Sequence, residues 1–207
     1  MTRVFFDVTV SLDGYLAGPD RGPDNPIGGR GPMLHAWLFS QRAFRRMLQL
    51  GDGGETGVDN QRIEETIQRI GANVMGKRMF EEGERHWPEE APFHTPVFVV
   101  THEVRAPWER KGGTTFHFVN DGLEQAVRRA REAAGDKDVR ISGGAHTIVE
   151  ALNAGLVDEF NLTVAPCFLG TGLRLFDGLD ASRVSLELVD TLPSPSVSHL
   201  RYAVRKP

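Results

Sequence analysis

The apolar positions at the two ends of the chain predict strands. Residues 3–12 (RVFFDVTVSL) are rich in β-branched and aromatic types, and the Asp13-Gly14 pair that follows is a turn signal. A buried first strand is therefore predicted. Near the other end, the apolar runs 184–192 and 196–204 are separated by Pro-Ser-Pro, which predicts an antiparallel hairpin.

Between residues 73 and 165, short apolar runs alternate with helical patterns. The predicted strands are 73–75, 97–101, 115–119, 139–141 and 159–165. The predicted helices begin at Lys77 and span 121–134 and 144–154. Strands that alternate with helices indicate an α/β fold with a mostly parallel sheet, and the terminal hairpin is expected to close one edge of it.

The segment 20–72 interrupts this regular order. Its first part, 20–31, is dense in Gly, Pro and Asp, and predicts a long loop of the kind that often carries function. Apolar spacing predicts one helix around 44–48 and another over 60–70, with a Gly-rich gap between them. The 207 residues fit a single domain, 1–207, that contains this insertion.

Composition and charge argue against several classes of function. The formal net charge of −4 and the scattered cations disfavour nucleic acid as a partner. No window approaches the roughly 20 apolar residues of a membrane span, and the first 15 residues lack a secretion signal, so a cytoplasmic protein is expected. One cysteine and seven histidines without zinc-site spacing predict no metal.

The Gly143-Gly144 turn is one candidate phosphate site. A strand ends there and a helix opens directly at Ala145, so the helix offers unpaired N–H groups to an anion, while the glycines let a ligand approach the backbone. A plain turn is the alternative interpretation.

Gly76 is the second candidate, because the helix after it begins with Lys77 and Arg78. Cations are disfavoured at a helix N-terminus, so an anionic ligand is expected to compensate them; ordinary surface charges are the alternative. The spacing from Gly71 to Lys77 also fits an ATP-binding P-loop. Arg78, however, stands where that motif needs Ser or Thr.

Five motifs, in order, resemble the dihydrofolate reductase superfamily, in the branch with the reductase domain of bacterial riboflavin biosynthesis and stand-alone deaminase-reductase domain proteins. The motifs are 8–17 (VTVSLDGYLA), 74–78 (VMGKR), 99–102 (VVTH), 142–144 (SGG), and 155–159 (GLVDE) with 165–172 (APCFLGTG). The resemblance covers nearly the whole chain. It implies a dihydrofolate-reductase-like α/β fold and an NADPH-dependent reductase.

The resemblance also implies the cofactor contacts. The first strand and its turn would line the nicotinamide, the Gly76 turn and the end of the strand before His102 would hold the phosphorylated ribose and adenine, and the Gly143-Gly144 turn would hold the diphosphate. The implied NADPH contacts are Val8, Thr9, Leu16, Ala17, Gly76, Lys77, Arg78, Thr101, His102, Gly143, Gly144, Ala145, His146 and Thr147.

The expected substrate is a small heterocycle, either a pterin or a pyrimidine like a riboflavin precursor. Trp37 and Phe39 in the insertion and Thr163 on a late strand are the candidate substrate contacts; core or dimer-interface packing is the alternative for the two aromatics. Asp13 is the candidate catalytic, proton-handling residue, and the alternative is a simple turn former.

Several departures from the family pattern argue against dihydrofolate itself. Met79 and Ile148 replace residues typical of folate-reducing members, and the insertion shows no equivalent of the folate-binding carboxylate. The zinc deaminase half of the riboflavin enzyme is absent. A non-catalytic NADP(H)-binding sensor of the same fold is the alternative function, and a homodimer is expected because many relatives pair.

Overall fold

The computed structural model describes residues 2–205. The strands are β1 (Val4–Ser11), β2 (Tyr15–Ala17), β3 (Ile70–Gly76), β4 (Pro96–Val100), β5 (Trp108–Glu109), β6 (Thr115–Val119), β7 (Asp138–Gly143), β8 (Glu159–Ala165), β9 (Leu173–Arg174), β10 (Ser185–Pro193) and β11 (Ser198–Arg205). The helices are α1 (Gly31–Ser40), α2 (Arg42–Met47), α3 (Val58–Arg69), α4 (Lys77–Gly83), α5 (Leu123–Ala134) and α6 (Ala145–Asn153), with a 3₁₀ turn at Ala181–Arg183.

One large sheet organises the chain, in the strand order β10-β11-β8-β1-β7-β3-β4-β6-β5. The six strands from β8 to β6 in this order run parallel to their neighbours, whereas β5, β11 and β10 are antiparallel. The predicted α/β class, the mostly parallel sheet and the hairpin at its edge are confirmed.

Most predicted elements lie within a few residues of their observed bounds, but short or uniformly apolar elements were missed. Helix α1 follows the Gly-rich loop directly and carries apolar residues around its whole circumference, so no helical period marks it. Strands β2, β5 and β9 have only two or three residues, which is too short for a periodic pattern. β2 and β9 pair in a separate small sheet. The discounted P-loop segment is strand β3.

The two faces of the large sheet differ in chemistry. Alternate residues of β1, from Val4 to Val10, belong to the main hydrophobic cluster together with residues of α5 and α6. Within this cluster Phe6 stacks on Phe160 with ring centroids 4.6 Å apart, and truncating either ring would cost about 3–5 kcal/mol. On the opposite face, β1 presents Asp7 and Thr9.

The polar face is covered by the insertion. Thr66 of α3 donates a hydrogen bond to Asp7 at 3.0 Å, and Trp37 of α1 donates one to Thr9 at 3.3 Å. The insertion therefore covers the polar face of the sheet, whereas α5 and α6 cover the apolar face. No helix within residues 2–205 has the length and apolar character that a bilayer crossing requires.

Candidate active site

Two adjoining cavities lie over the sheet. The strand-end cavity, of about 520 Å³, is formed where parallel strands β3, β4 and β7 end, and it includes Gly76, Thr101 and Thr147. The insertion cavity, of about 320 Å³, lies between the polar face of the sheet and the insertion, and it includes Trp37 and Thr163. Ligands of open α/β sheets commonly bind beyond the carboxyl ends of parallel strands, so the first cavity lies where such a site is expected.

Glycine is required at Gly76, which lines the strand-end cavity, and at Gly143, which lines the insertion cavity. A Cβ on Gly76 would lie 2.4 Å from the hydroxyl oxygen of Thr147, so the end of β3 and the first turn of α6 approach more closely than any side chain permits. Gly143 has a φ of +132°, which L residues rarely adopt. The peptide between Gly143 and Gly144 is cis. The two glycine turns singled out in the sequence are thus neighbours.

The first turn of α6 borders the strand-end cavity. No side chain caps this helix at Gly144, and its first three residues, Ala145 to Thr147, line the cavity. Their backbone N–H groups have no partner within the helix. Together with the close approach at Gly76, this fits the diphosphate of a dinucleotide, which needs N–H donors and space beside the backbone.

The cations of this cavity are already balanced by carboxylates. Lys77 Nζ lies 2.5 Å from Glu103 and 3.4 Å from Glu81. The hydrogen bond and charge of Glu103 raise the pKa of Lys77, and Lys77 in turn lowers the pKa of Glu103. Arg78 is 70% exposed and donates from Nε to Glu82 at 3.0 Å. A ligand phosphate would therefore share Lys77 with Glu103 and meet Arg78 at the rim.

Every implied cofactor residue lines one of the two cavities. The strand-end cavity takes Gly76, Lys77, Arg78, Thr101, His102, Ala145, His146 and Thr147, the insertion cavity takes Val8, Thr9, Leu16, Ala17 and Gly143, and Gly144 lines both. Arg21 and Met79 also line both cavities. The two cavities are therefore halves of one cleft, joined at Gly144.

A buried carboxylate organises the junction. Glu82 of α4 is 4% exposed and pairs with Arg21 from the loop before α1 as well as with Arg78. The long Gly- and Pro-rich loop is thereby held against α4. Neither Glu82 nor Arg21 was singled out in the sequence, because a Glu inside an amphipathic helix is ordinarily an exposed charge.

Apolar side chains form the walls of the insertion cavity. They come from the loop before α1, from α1 to α3 and from the segment after α4, and include Ile27, Leu38, Phe44, Met47, Ile63, Ile67 and Trp87. His35 of α1 also lines the cavity, and burial lowers its pKa to about 4. The imidazole of His35 is therefore neutral at physiological pH.

The floor of the insertion cavity is polar and incompletely paired. Asp7 accepts hydrogen bonds from Thr66 at 3.0 Å and from Asn161 at 3.2 Å. Among the described residues, Arg140 Nε, Arg62 Nε and Asn161 Oδ1 are buried atoms without a hydrogen-bond partner. Buried polar atoms are rarely left unpaired, so these atoms are suited to the polar edge of a ligand.

One predicted substrate contact belongs to a longer chain of buried groups. Thr163 lies 3.0 Å from His199 Nδ1, and His199 Nε2 lies 2.7 Å from Asp59. Sequence reasoning missed His199 and Asp59. Asp59 resembles an ordinary acidic residue in a helix first turn, and the one available signal for His199 was its place at an inward-facing position of the last strand.

The other predicted substrate and catalytic residues are Trp37, Phe39 and Asp13, and they do not share one site. Trp37 lines the insertion cavity. Phe39, on the same helix, is 42% exposed, packs edge-on against Phe44 at 5.2 Å and is absent from the cavity wall, so its predicted substrate contact is not supported. Asp13 accepts from the Ser11 hydroxyl and from the backbone N–H groups of Leu169 and Gly170.

Through these contacts, Asp13 fixes the position of the loop after β8. The Ser11 hydrogen bond, followed by the backbone ones, lowers the pKa of Asp13 to about 2. Asp13 is therefore ionised at neutral pH, and it lines neither cavity. The turn-forming role explains all its contacts, and its catalytic role stays a prediction without geometric support. Within residues 2–205, no three His, Cys, Asp or Glu side chains are arranged to hold a metal ion.

The model of the RibD C-terminal domain family matches residues 2–199. The chain belongs to this family. The uncharacterized protein YyaP of Bacillus subtilis is 39% identical over 195 residues, covering 91% of this chain and 87% of YyaP. YwjB of the same organism, also uncharacterized, is 31% identical over 85 residues, covering 41% of this chain and 48% of YwjB.

Solved structures show the fold of the RibD C-terminal domain family here. A putative riboflavin biosynthesis protein from Shewanella sp. PV-4 superposes with a TM-score of 0.67 at 21% identity and full coverage of both chains. Dihydrofolate reductase from Enterococcus faecalis, complexed with NADP(H), gives 0.56 at 13%, covering 99% of this chain and 97% of its own. A Thermotoga maritima deaminase/reductase gives 0.62 at 15%, and this chain covers 57% of it. The predicted dihydrofolate-reductase-like fold is confirmed.

Proposed function

We propose that the protein is an NADPH-dependent reductase of a small, flat heterocycle of the pterin or pyrimidine kind. The observation that carries the proposal is the junction of the two cavities at Gly144. A dinucleotide whose diphosphate lies at the start of α6 extends from there into the insertion cavity. Membership of the RibD C-terminal domain family supports a pyrimidine-reductase type of activity.

The residues present fit the cofactor. Gly76, Gly144 and the first turn of α6 would hold the diphosphate, and Lys77 with Arg78 would meet the phosphate on the adenosine ribose. When bound, the reduced nicotinamide supplies a hydride ion. Val8, Leu16 and Ala17 form a wall that would exclude water from the reacting carbon.

The residues of the insertion cavity fit a flat ring with a polar edge. Trp37 offers an aromatic surface, and the apolar walls favour a ring face. On the floor, Arg140 is a donor and Asn161 Oδ1 is an acceptor, and Arg62 of α3 adds a donor from the side of the insertion. Pterins and aminopyrimidinones present such alternating acceptors and donors along one edge, so they match the floor better than an aliphatic substrate would.

A two-part assay tests the proposal. Calorimetry with NADPH and NADH measures binding, and absorbance at the nicotinamide band measures oxidation of NADPH in the presence of 7,8-dihydropterin, an aminouracil riboside, riboflavin or menadione. The proposal expects NADPH binding and turnover with the pterin or the aminouracil. NADPH binding without turnover of any compound would favour the sensor alternative, and the absence of binding would refute both.

We also place the predicted homodimer contact on the outer edge of β10. Leu186, Leu188 and Val189 on this edge strand are about half exposed, and an unpaired edge with apolar side chains favours association. Sedimentation of the wild type against Leu188→Lys tests the contact. A dimer that persists unchanged in the variant would place the contact elsewhere.

A further inference from the structure

A buried chain of hydrogen bonds runs from the insertion to the floor of the insertion cavity. It consists of Asp59, His199 and Thr163, whose exposed fractions are 4%, 3% and 2%. His199 and Thr163 line the cavity, and Asp59 lies behind His199. We propose that these three residues form a proton relay that protonates the substrate as it is reduced. The inference rests on the reductase function proposed above.

The sheet fixes the two inner members of the relay. Thr9 of β1 is paired with Thr163 of β8, and Thr163 is paired with His199 of β11, so the three side chains form one row across three strands. Trp37 packs edge-on against the His199 ring at 5.4 Å and donates from its indole nitrogen to Thr9 at 3.3 Å. The imidazole is thus enclosed and held in one orientation.

The hydrogen-bond partners determine which way the Thr163 hydroxyl points. Asp59 accepts, so His199 Nε2 carries a proton. In the neutral ring, Nδ1 is an acceptor and Thr163 donates to it. In the charged ring, Nδ1 donates to Thr163 Oγ1, and the Thr163 hydrogen is then free to point into the cavity. The protonation of His199 therefore presents or withdraws an acidic hydrogen at the substrate.

The proposed step delivers a hydride to a carbon of the substrate and a proton to the neighbouring nitrogen or oxygen. The reduced cofactor would supply a hydride to the carbon of a C=N or C=O bond of the substrate, and the π electron pair of that bond would move to the nitrogen or oxygen. That atom takes the hydroxyl proton of Thr163, and Thr163 Oγ1 takes the Nδ1 proton of His199. The substrate would thereby gain two hydrogens, one as hydride from the cofactor, which would be left oxidised, and one as a proton from the relay, and His199 would become neutral. After product release, water in the open cavity returns the proton to His199.

Several other charged and titratable groups lie near His199. Asp59 is the carboxylate that contacts the ring. The remaining charged and titratable side chains that share the cavity with it are Asp7, Arg21, His35, Arg62, Glu82 and Arg140. Desolvation lowers the pKa of His35 to about 4, so a decline of kcat at high pH does not arise from His35.

A stabilising role alone does not require this arrangement. Replacing a buried ion pair by apolar side chains is often neutral or stabilising, and neither Thr163 nor His199 needs to reach the cavity to support the fold. Positioned general acids typically contribute 10²–10⁴-fold to a rate, which sets the size of the expected effect.

The kinetic test uses Thr163→Val, which keeps the side-chain shape and removes the hydroxyl. With NADPH and whichever of 7,8-dihydropterin or the aminouracil riboside is turned over, kcat should fall about 100-fold, whereas KM and the Kd for NADPH stay within about threefold. The high-pH decline of kcat should disappear in the variant. Thr163→Ser should restore both kcat and the decline, and Thr191→Val, on the exposed edge strand, is the matched control.

A second measurement does not depend on turnover. In ¹⁵N-labelled protein, the ring nitrogens of His199 are assigned by their loss in His199→Gln or, should that variant not fold, by correlation to the ring protons. Nε2 should carry a proton in both the neutral and the charged ring, and Thr163→Val should shift the resonance of Nδ1. His117→Gln on β6, away from the cavity, should leave these signals unchanged.

The outcomes separate the two proposals. Wild-type turnover with an unaltered kcat and pH profile in Thr163→Val would overturn the relay alone, and so would a His199 ring whose Nδ1 ignores the loss of the hydroxyl. No turnover of any compound by the wild type would overturn the reductase function, and the relay with it.

Discussion

The strand-end cavity and the insertion cavity are built in opposite ways. The first is lined largely by backbone turns and helix starts that are contiguous in the chain, with exposed side chains such as Arg78 and His146 at its rim. The second is lined by buried and half-buried side chains from many separate segments, including Asp7, Trp37 and His199. A site made from backbone suits a ligand shared by many proteins, and a site made from packed side chains suits a particular substrate.

The largest expected effect is at the junction of the two cavities. A Cβ on Gly144 meets nothing within 4 Å in the protein, so Gly144→Val should fold and place its side chain in the cleft. We expect NADPH binding to weaken at least about 100-fold, or about 2.7 kcal/mol. Calorimetry measures this loss.

The matched control for Gly144→Val is a glycine that precedes a different helix. Gly57 precedes α3 with a φ of −71°, close to the −75° of Gly144, and it is equally open. Gly57→Val should bind NADPH as the wild type does. Equal affinities of the two variants would show that the junction does not hold the cofactor.

Trp37→Ala tests whether the insertion cavity holds the substrate. Loss of an aromatic ring face should raise KM for the heterocycle about 20-fold while the Kd for NADPH stays within about twofold. Phe39→Ala, on the same helix but away from the cavity wall, should change neither. A KM increase in both variants would indicate a general disturbance of α1.

Histidines in the two cavities should contribute differently to the loss of stability in acid. His35 is half-buried in the insertion cavity, where desolvation lowers its pKa to about 4, so between pH 6.5 and 4 the unfolded chain binds more protons than the folded one. Stability contributed by the neutral imidazole is present above pH 6.5 and is lost as the pH falls through this window.

His35→Gln should therefore remove about 1–2 kcal/mol of the acid-induced loss in free energy of unfolding, after allowance for partial solvent access. Urea denaturation at several pH values measures it. His146→Gln is the control, because the His146 side chain is 95% exposed in the strand-end cavity. The same pH slope in all three proteins would contradict the difference.

The smallest effect, on cofactor affinity, is expected at Arg78 on the rim of the strand-end cavity. Arg78 would bind the ribose phosphate that distinguishes NADPH from NADH, but it is 70% exposed, so the usual strength of a charged hydrogen bond is reduced by solvent. Arg78→Ala should weaken NADPH about tenfold, near 1.4 kcal/mol, and leave NADH within about twofold. Titration of both cofactors decides this, and equal losses would remove Arg78 from the phosphate site.

The sequence alone predicted the fold class, the family and the two glycine turns at the strand ends. Those features depend on local order: an apolar run ending in Gly76 or Gly143-Gly144 and opening into a helix specifies its own backbone turn. The sequence could also predict that parallel strands bring such turns to one edge of a sheet, where the structure places both.

Only the tertiary structure decided which side chains meet in the insertion cavity. Asp59 and His199 are 140 positions apart, and no periodicity links a helix of the insertion to the last strand of the sheet. Arg21 and Glu82 are likewise distant in sequence, and no local pattern links them. Helix α1 is apolar on all sides, so the sequence could not show which way Phe39 points. A buried polar side chain has meaning only through its partner, and partners distant in sequence are chosen by packing.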